Sequence, residues 1–182
     1  MTLAQAIALI SDAVGGRTGV WADFGAGEGR FTRALARLLG PTSTIYAVDN
    51  DPRAIAELTT LSQTDPSAAR VIPLHADFTQ PFQLPPPHHL LDGMLLANAL
   101  HFVPDAGAVL AQLAAQLRPG GRVVLVEYDR RAASRWVPYP IPMARLHALA
   151  ATARLTVPVV TATRPSAFSG TLYAAAADRR VQ

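Results

Sequence analysis

The chain contains no cysteine. Disulfides and thiolate chemistry are therefore excluded, and with them any covalent adduct between a cysteine and a substrate. The absence also suits a reducing compartment, and a cytoplasmic protein is expected. Lysine is missing too, so all sixteen basic residues are Arg. All-Arg, Ala-rich usage is as readily a habit of genome composition as a functional trait. The arginines are scattered, with no run longer than two, whereas a nucleic-acid face shows clustered Lys and Arg. Nucleic acid is accordingly a disfavoured partner despite the net charge of +3. No apolar run approaches the roughly eighteen residues that span a bilayer. No basic segment followed by a long apolar core opens the chain. Neither a membrane partner nor a signal peptide is expected.

With 182 residues, half of them hydrophobic, the chain is long enough for one domain with a full core. Its organising stretch is 20–31, Val-Trp-Ala-Asp-Phe-Gly-Ala-Gly-Glu-Gly-Arg-Phe. A short apolar run ends in Asp23, glycines alternate at Gly25, Gly27 and Gly29, and an amphipathic helical pattern follows. This is strand, tight glycine turn, helix. Glycine there admits positive φ and lets a ligand lie against bare backbone, and a helix start offers free N–H groups. The turn points to a nucleotide-like ligand. A dinucleotide turn reads G-x-G-x-x-G; its third glycine position is occupied here by Arg30, which speaks against a nicotinamide oxidoreductase.

The rest of the chain alternates. Leu3, Ile7, Ile10 and Val14 share one helical face, and Gly15-Gly16 stops that helix. It is expected to lie across the sheet edge and partly cover the ligand site. Phe31, Leu35 and Leu38 stripe the helix after the turn, with Arg30, Arg33 and Arg37 on its solvated face. Residues 44–48 form a β-branched and aromatic run suited to a buried parallel strand, ending in Asp49-Asn50. Asp51 caps and Pro52 opens a helix that ends around Thr64-Asp65-Pro66. Residues 70–75 make a third strand, followed by Asp77-Phe78, and the proline-rich segment 80–89 is a loop. A fourth strand covers 90–97, interrupted by Asp92-Gly93, and a loop covers 98–104. Leu110, Leu113 and Leu117 stripe a helix closed by Arg118-Pro119-Gly120-Gly121. A fifth strand over 123–126 leads to Glu127, Tyr128 and Asp129. After a helix over 143–152 come two β-rich runs, 155–160 and 170–176, which form an antiparallel hairpin.

This order implies an α/β fold: a Rossmann-like open sheet, mostly parallel, of seven strands with a C-terminal antiparallel hairpin and helices on both faces. Residues 1–182 form a single domain, divided into an N-terminal helix (1–16), a cofactor-binding core (17–129), and a loop, helix and closing hairpin (130–182).

Taken together, Asp23-Phe24-Gly25-Ala26-Gly27-Glu28-Gly29, Asp49, Asp77-Phe78 and Leu117-Arg118-Pro119-Gly120-Gly121 resemble the class I S-adenosylmethionine-dependent methyltransferases, small-molecule type. The likeness covers nearly the whole chain. It implies S-adenosyl-L-methionine as cofactor and S-adenosyl-L-homocysteine as product. It implies that Asp23, Gly25, Ala26 and Gly27 border the methionine part, with Asp23 near its ammonium group. Asp49, followed by Asn50, would meet the ribose hydroxyls, Asp77 the adenine amino group, and Phe78 the ring. Asn98 would border the methionine end and the substrate. No Asn-Pro-Pro-Tyr or Asp-Pro-Pro-Tyr follows the fourth strand, where Ala97-Asn98-Ala99-Leu100 stands instead. That argues against adenine or glutamine nitrogen as acceptor, and the lack of Cys argues against cytosine C5.

Structural readings stand beside these. Asp23 also suits a turn cap, Asp49 the polar end of a strand, Asp77 ordinary loop chemistry, and Phe78 the core. Methyl transfer from a sulfonium is mainly a matter of alignment, worth ~7–11 kcal/mol. If the acceptor must lose a proton, His101 is the candidate catalytic base; its alternative is a loop histidine bonded locally. His88-His89, with no carboxylate nearby, is a poor ligand set, and no metal is expected. Arg131, Trp136 and Tyr139, in the Pro-rich stretch 130–142, suit a flat or anionic acceptor, the alternative being a crossover loop whose Trp136 packs on the sheet. Arg164-Pro165, in the hairpin loop, is a second rim. The expected function is methyl transfer to a small-molecule acceptor by in-line displacement. A non-catalytic methyltransferase-like binding module and an RNA methyltransferase are the alternatives, and a homodimer is left open.

Overall fold

Val20–Phe24 is short and apolar enough to be buried on both sides, and it forms an inner strand, β1. In a computed structural model, residues 1–61, 67–82, 84–85, 90–166 and 170–181 are described. Among these residues six further strands are present: β2 (Thr44–Asp49), β3 (Arg70–His75), β4 (Leu91–Ala97), β5 (Leu117–Asp129), β6 (Val159–Pro165) and β7 (Thr171–Asp178). They make one sheet in the order β3-β2-β1-β4-β5-β7-β6. The five strands from β3 to β5 run parallel, and β7 inserts antiparallel between β5 and β6. The Rossmann-like sheet and its closing hairpin are as expected.

The helices are α1 (Leu3–Val14), α2 (Arg30–Leu39), α3 (Pro52–Leu61), α4 (Ala106–Ala114) and α5 (Leu146–Thr152). Side chains alternate across the strands, so each face has its own core. Trp21, Ile45, Leu95 and Val124 pack with Ile10, Leu35 and Leu58 of α1, α2 and α3. Phe24, Val48, Met94 and Leu125 pack with Leu110 of α4 and Leu149 of α5. Strand order reverses between β1 and β4, and in open α/β sheets such a reversal opens a crevice beyond the strands' C-terminal ends.

Four local expectations are corrected. In α1 the buried face is Ala6, Leu9, Ile10, Ala13 and Val14, while Leu3 is exposed and Ile7 half-buried. The small Ala6 and Ala13 let this face pack against α2 and the β5-β7-β6 end of the sheet. Second, α4 stops at Ala114, and Leu117-Arg118-Pro119-Gly120-Gly121 belongs to β5. Leu117 pairs with Leu91, the register then shifts, and Gly93 pairs with Arg122; Pro119 lacks an N–H and Gly120 adopts φ +75°, so the irregularity falls there. Third, the hairpin strands lie further along than the runs 155–160 and 170–176. Pro158 cannot donate to a ladder, so Leu155 makes only an isolated bridge to Arg179. Fourth, Arg164 and Pro165 are consequently in β6, opposite Leu172 and Thr171, rather than in the loop.

Asp51 caps α3 as expected, accepting from Arg53 N at 2.9 Å. The helix end at Thr64-Asp65-Pro66 and His88-His89 lie outside the described residues. Asp92-Gly93 lies within β4, where the β4–β5 ladder changes register. Asp92 clips the sheet's lower edge, accepting from Val20 N at 2.7 Å and from Arg118 Nε at 2.6 Å. Gly93 makes room for the fully buried Trp21, whose ring would stand 2.5 Å from a Cβ there. Gly93→Ala is therefore expected to destabilise the protein by about 1–3 kcal/mol, read from urea unfolding midpoints. A variant as stable as the wild type would show that the Trp21 ring shifts freely.

Candidate functional site

The glycine turn is stapled to the end of β2. Gly25 N and Ala26 N both donate to Val48 O, at 2.9 and 3.1 Å. Gly27 N donates to Asp49 Oδ2 at 2.7 Å. Gly25 adopts φ +75°, and a Cβ on it would lie 2.5 Å from Ala99 Cβ. Only glycine satisfies both demands, the dihedral and the close approach of the loop after β4.

Beyond this turn lies a cleft of about 690 Å³. Asp23, Gly25, Ala26, Gly27, Asp49 and Asn50 line it. So do Asp77, Phe78 and Asn98, which completes the set expected to hold a cofactor. Asp49 is half-buried, and its Oδ1 accepts from Asp51 N at 2.9 Å. Asp77 Oδ1 accepts from the Thr79 N–H and hydroxyl at 2.9 and 2.7 Å. Phe78 combines both of its readings: its ring packs 6.2 Å from Phe24 and also borders the cleft. Met1, Glu28, Arg30, Thr79 and Phe102 line it as well. Sequence reasoning placed none of these in the site, because nothing in their local pattern separates a wall residue from a surface one.

Two polar atoms in the wall stand out. Asp23 is 1 % exposed; its Oδ2 accepts from Thr32 Oγ1 at 2.6 Å, which ties β1 to α2. Asp23 is thus more than a turn cap. Asn98 holds the left-handed backbone at φ 56°, with its N–H given to Val126 O at 2.8 Å. Neither Asp23 Oδ1 nor Asn98 Oδ1, both buried, has a hydrogen-bond partner among the described residues. Buried acceptors are nearly always satisfied, so two orphans in one cleft wall point to a ligand that brings donors. Burial pushes the Asp23 carboxyl from its ordinary 3.8 up to about 7, with Thr32 opposing the rise and the Asp49 charge adding to it.

Asn98 and Phe102 also line a second cavity, of about 540 Å³, with His101, Tyr128, Arg131, Trp136 and Val137. Of the residues expected to grip an acceptor, Arg131 and Trp136 meet here. Tyr139 does not line this cavity; its backbone N–H donates to His101 O at 3.0 Å. Trp136 is 63 % exposed, so it does not pack on the sheet. The Arg135 guanidinium lies 4.6 Å from the Trp136 ring centroid, and Arg131 lies 4.5 Å from that of Tyr128. The segment carrying these residues is pinned at its far end, where Tyr173 Oη donates to Ile141 O at 2.7 Å and Met143 N to Asp129 Oδ1 at 3.0 Å. His101 is buried, and instead of bonding locally its Nδ1 lies 2.6 Å from Oε2 of Glu127, 26 positions away. Glu127 is not among the residues the sequence singles out. The one signal it carries is an acid inside the apolar run Val-Val-Leu-Val-Glu-Tyr of a strand.

Residues 22–125 match the family model described as "Methyltransferase domain". No curated protein matches the chain. Among solved structures it is similar to the 1,6-didemethyltoxoflavin-N1-methyltransferase of Burkholderia thailandensis, which holds 1,6-didemethyltoxoflavin and S-adenosylhomocysteine. There the identity is 25%, the TM-score 0.71, and the match covers 99% of this chain and 79% of that one. In fold it is also similar to the magnesium protoporphyrin IX methyltransferase of Synechocystis PCC 6803 with bound SAH (14% identity, TM-score 0.71, covering 98% and 82%). A third similar fold is the N-methyltransferase NodS of Bradyrhizobium japonicum WM9 (18%, 0.70, covering 98% and 94%).

The raised Asp23 carboxyl has a signed consequence for stability. The folded state keeps a proton that the unfolded chain has already lost between about 3.8 and about 7. Stability from this group therefore falls as pH rises through that window, and the cost is full above it. Asp23→Asn, neutral at every pH, should gain on the wild type from pH 5 to pH 8 in paired denaturation curves. A stability difference that does not change with pH would mean Asp23 stays ionised throughout.

Proposed function

The chain belongs to the methyltransferase domain family, and we propose that it methylates a flat small molecule seated beside Trp136 and Arg131. The enzyme is an S-adenosylmethionine-dependent methyltransferase. When bound, that cofactor supplies a methyl group activated by the positive sulfur to which it is attached. The whole chain acts as one catalytic domain, and its cysteine-free composition suits the cytoplasm. Among the described residues no helix is long and apolar enough to cross a membrane.

The residues at the cleft fit the cofactor. Asp23 Oδ1 and Asn98 Oδ1 are buried acceptors without donors, and an ammonium group is a donor three times over. Asp49 has spent one lone pair per oxygen on backbone N–H groups, which leaves each oxygen free to accept once more, as a ribose diol requires. Asp77 and Phe78 line the same cleft and suit an amino-bearing aromatic ring, and Gly25, Ala26 and Gly27 offer backbone or a small side chain. Asn50 borders the ribose side.

Asn98 and Phe102 line both the cleft and the second cavity, so the two spaces adjoin. An acceptor in the second cavity is therefore presented toward the cleft. Arg131, Tyr128 and Trp136 favour a planar or anionic molecule. The chain's own contribution is alignment and exclusion of water, with His101 as base where the acceptor carries a proton. The observation that carries this reading is the pair of orphaned acceptors in the wall of a cleft shared by a cofactor side and an acceptor side.

Thermal unfolding with S-adenosylmethionine, S-adenosylhomocysteine and NAD tests it. A ligand at a hundredfold excess over Kd stabilises the folded state by about 2.7 kcal/mol. The first two should raise the melting temperature and NAD should not, and Asp49→Ala should abolish the rise. No shift with either sulfur compound would overturn the cofactor assignment.

A further inference from the structure

Arginines that are scattered along the sequence converge at one end of the sheet. Arg154, just past α5, and Arg179 and Arg180, just past β7, line a pocket of about 570 Å³. The rest of its wall comes from the C-terminal ends of α4 and α5, where alanines such as Ala115 and Ala151 leave the space unfilled. This pocket is at the opposite end of the sheet from the cleft. The cleft opens beyond the C-terminal ends of the parallel strands, whereas the pocket borders the residues before β5 and the end of the antiparallel β7.

Two of the three guanidinium groups are held by main-chain carbonyls. Arg179 Nη1 donates to Ala115 O at 3.1 Å and also to Leu117 O, and Arg180 Nε donates to Leu155 O at 2.8 Å. The backbone that carries them is tied on both sides. Gly120 N donates to Arg179 O at 2.9 Å, Arg179 N to Gly121 O at 2.8 Å, and Arg180 N to Arg154 O at 3.2 Å. A guanidinium has five N–H donors, so most of them remain. Arg154 is exposed, and its side chain has no hydrogen bond or ion pair among the described residues. Its backbone holds the left-handed region at φ 55°. Glycine is the usual residue for that conformation just past a helix, so an arginine stands there against the local preference.

Arginine near a helix C-terminus has an ordinary use, because the last carbonyls carry about half a unit of negative charge. Two such ends supply at most about one unit, against three from the arginines. Among the described residues no carboxylate lines the pocket. Asp178 is taken by Arg17 and Arg122, each at 3.1 Å, and Asp92 by Arg118 at 2.6 Å. Capping therefore explains part of the positive charge and leaves about two units of it unbalanced in a concavity. Like charges gathered in this way repel one another, and a bound anion relieves the repulsion.

We infer that this pocket is a second binding site, which takes a compact phosphate polyanion. The planar guanidinium fork matches phosphate oxygens two at a time, and the volume is that of a small-molecule site. No aromatic residue lines the pocket among the described residues, so no ring is offered for a base to stack on. The phosphate groups themselves are recognised, whether free as pyrophosphate or carried by a nucleotide.

Calorimetric titration of the full-length protein with pyrophosphate, at low ionic strength, tests this. A single site is expected. Arg154→Ala and Arg180→Ala should each weaken binding by about tenfold, the effect of losing a charge-assisted hydrogen bond. Ala151→Glu, which sets a carboxylate into the pocket and leaves every arginine in place, should abolish it. Arg30→Ala in the cleft and Arg33→Ala on the outer face of α2 should leave the affinity unchanged. Arg154 is exposed and unbonded, so Arg154→Ala is expected to melt like the wild type without ligand. No binding at millimolar pyrophosphate would overturn the inference, as would binding that Arg154→Ala and Ala151→Glu leave intact. Loss of binding in Arg30→Ala would put the anion in the cleft and overturn it too. ADP should bind no more tightly than pyrophosphate; a preference for ADP of about tenfold or more would show that a base is read, against the inference.

Discussion

Three successive backbone N–H groups, those of Gly25, Ala26 and Gly27, are taken by the last two residues of β2: two by the Val48 carbonyl and one by the Asp49 carboxylate. This contact is the constraint on which the site depends. It holds the turn down against the sheet edge, so that Gly25 can come within touching distance of Ala99 and the turn meets the loop after β4. The same contact orients Asp49 by one oxygen while leaving further lone pairs toward the cleft. A strand end, a turn and a carboxylate are thereby set by mutual hydrogen bonds rather than by separate side-chain rotamers, which is what a preorganised binding wall requires.

Asp23 shows stability exchanged for function. A carboxylate with 1 % exposure, its charge disfavoured by burial and one oxygen without a partner, lowers the stability of the fold at neutral pH. Thr32 offsets part of this by bonding the other oxygen and tying β1 to the helix that follows the turn. In the proposed function the remainder is recovered when a donor-bearing cation binds. Asn98 contributes a second orphaned acceptor from a strained left-handed backbone. At Asn98 a strained backbone and a missing partner coincide in the wall of the cleft, beside the orphaned oxygen of Asp23.

The proposed acceptor side is organised differently. The residues proposed to recognise an acceptor lie on the segment after β5, which has little regular structure of its own. That segment is held by backbone and hydroxyl bonds to its neighbours: Tyr139 N to His101 O, Tyr173 Oη to Ile141 O, and Met143 N to Asp129. A loop fixed in this way can present exposed aromatic surface without collapsing onto the core. The His101–Glu127 pair joins the two halves, since Glu127 sits in the sheet and His101 in the loop that also carries Asn98.

The amino-acid sequence by itself determined the alternation of strands and helices, the parallel sheet with its closing hairpin, the glycine turn, and the acidic residues at or just beyond strand ends, Asp23, Asp49 and Asp77. Each of these is a local signal: a run length, a period, or a residue type at a chain reversal. Only the tertiary structure decided where β5 begins, because Leu117 is drawn out of the expected helix stripe by Leu91 on a strand far away in sequence. It decided the hairpin register, which follows from cross-strand pairing and the missing N–H of Pro158. It decided that Asp23 and Asn98 each keep an acceptor without a donor, and that His101 finds Glu127 across 26 positions of chain. Burial and partnership are properties of what surrounds a residue in space, and no local pattern encodes them.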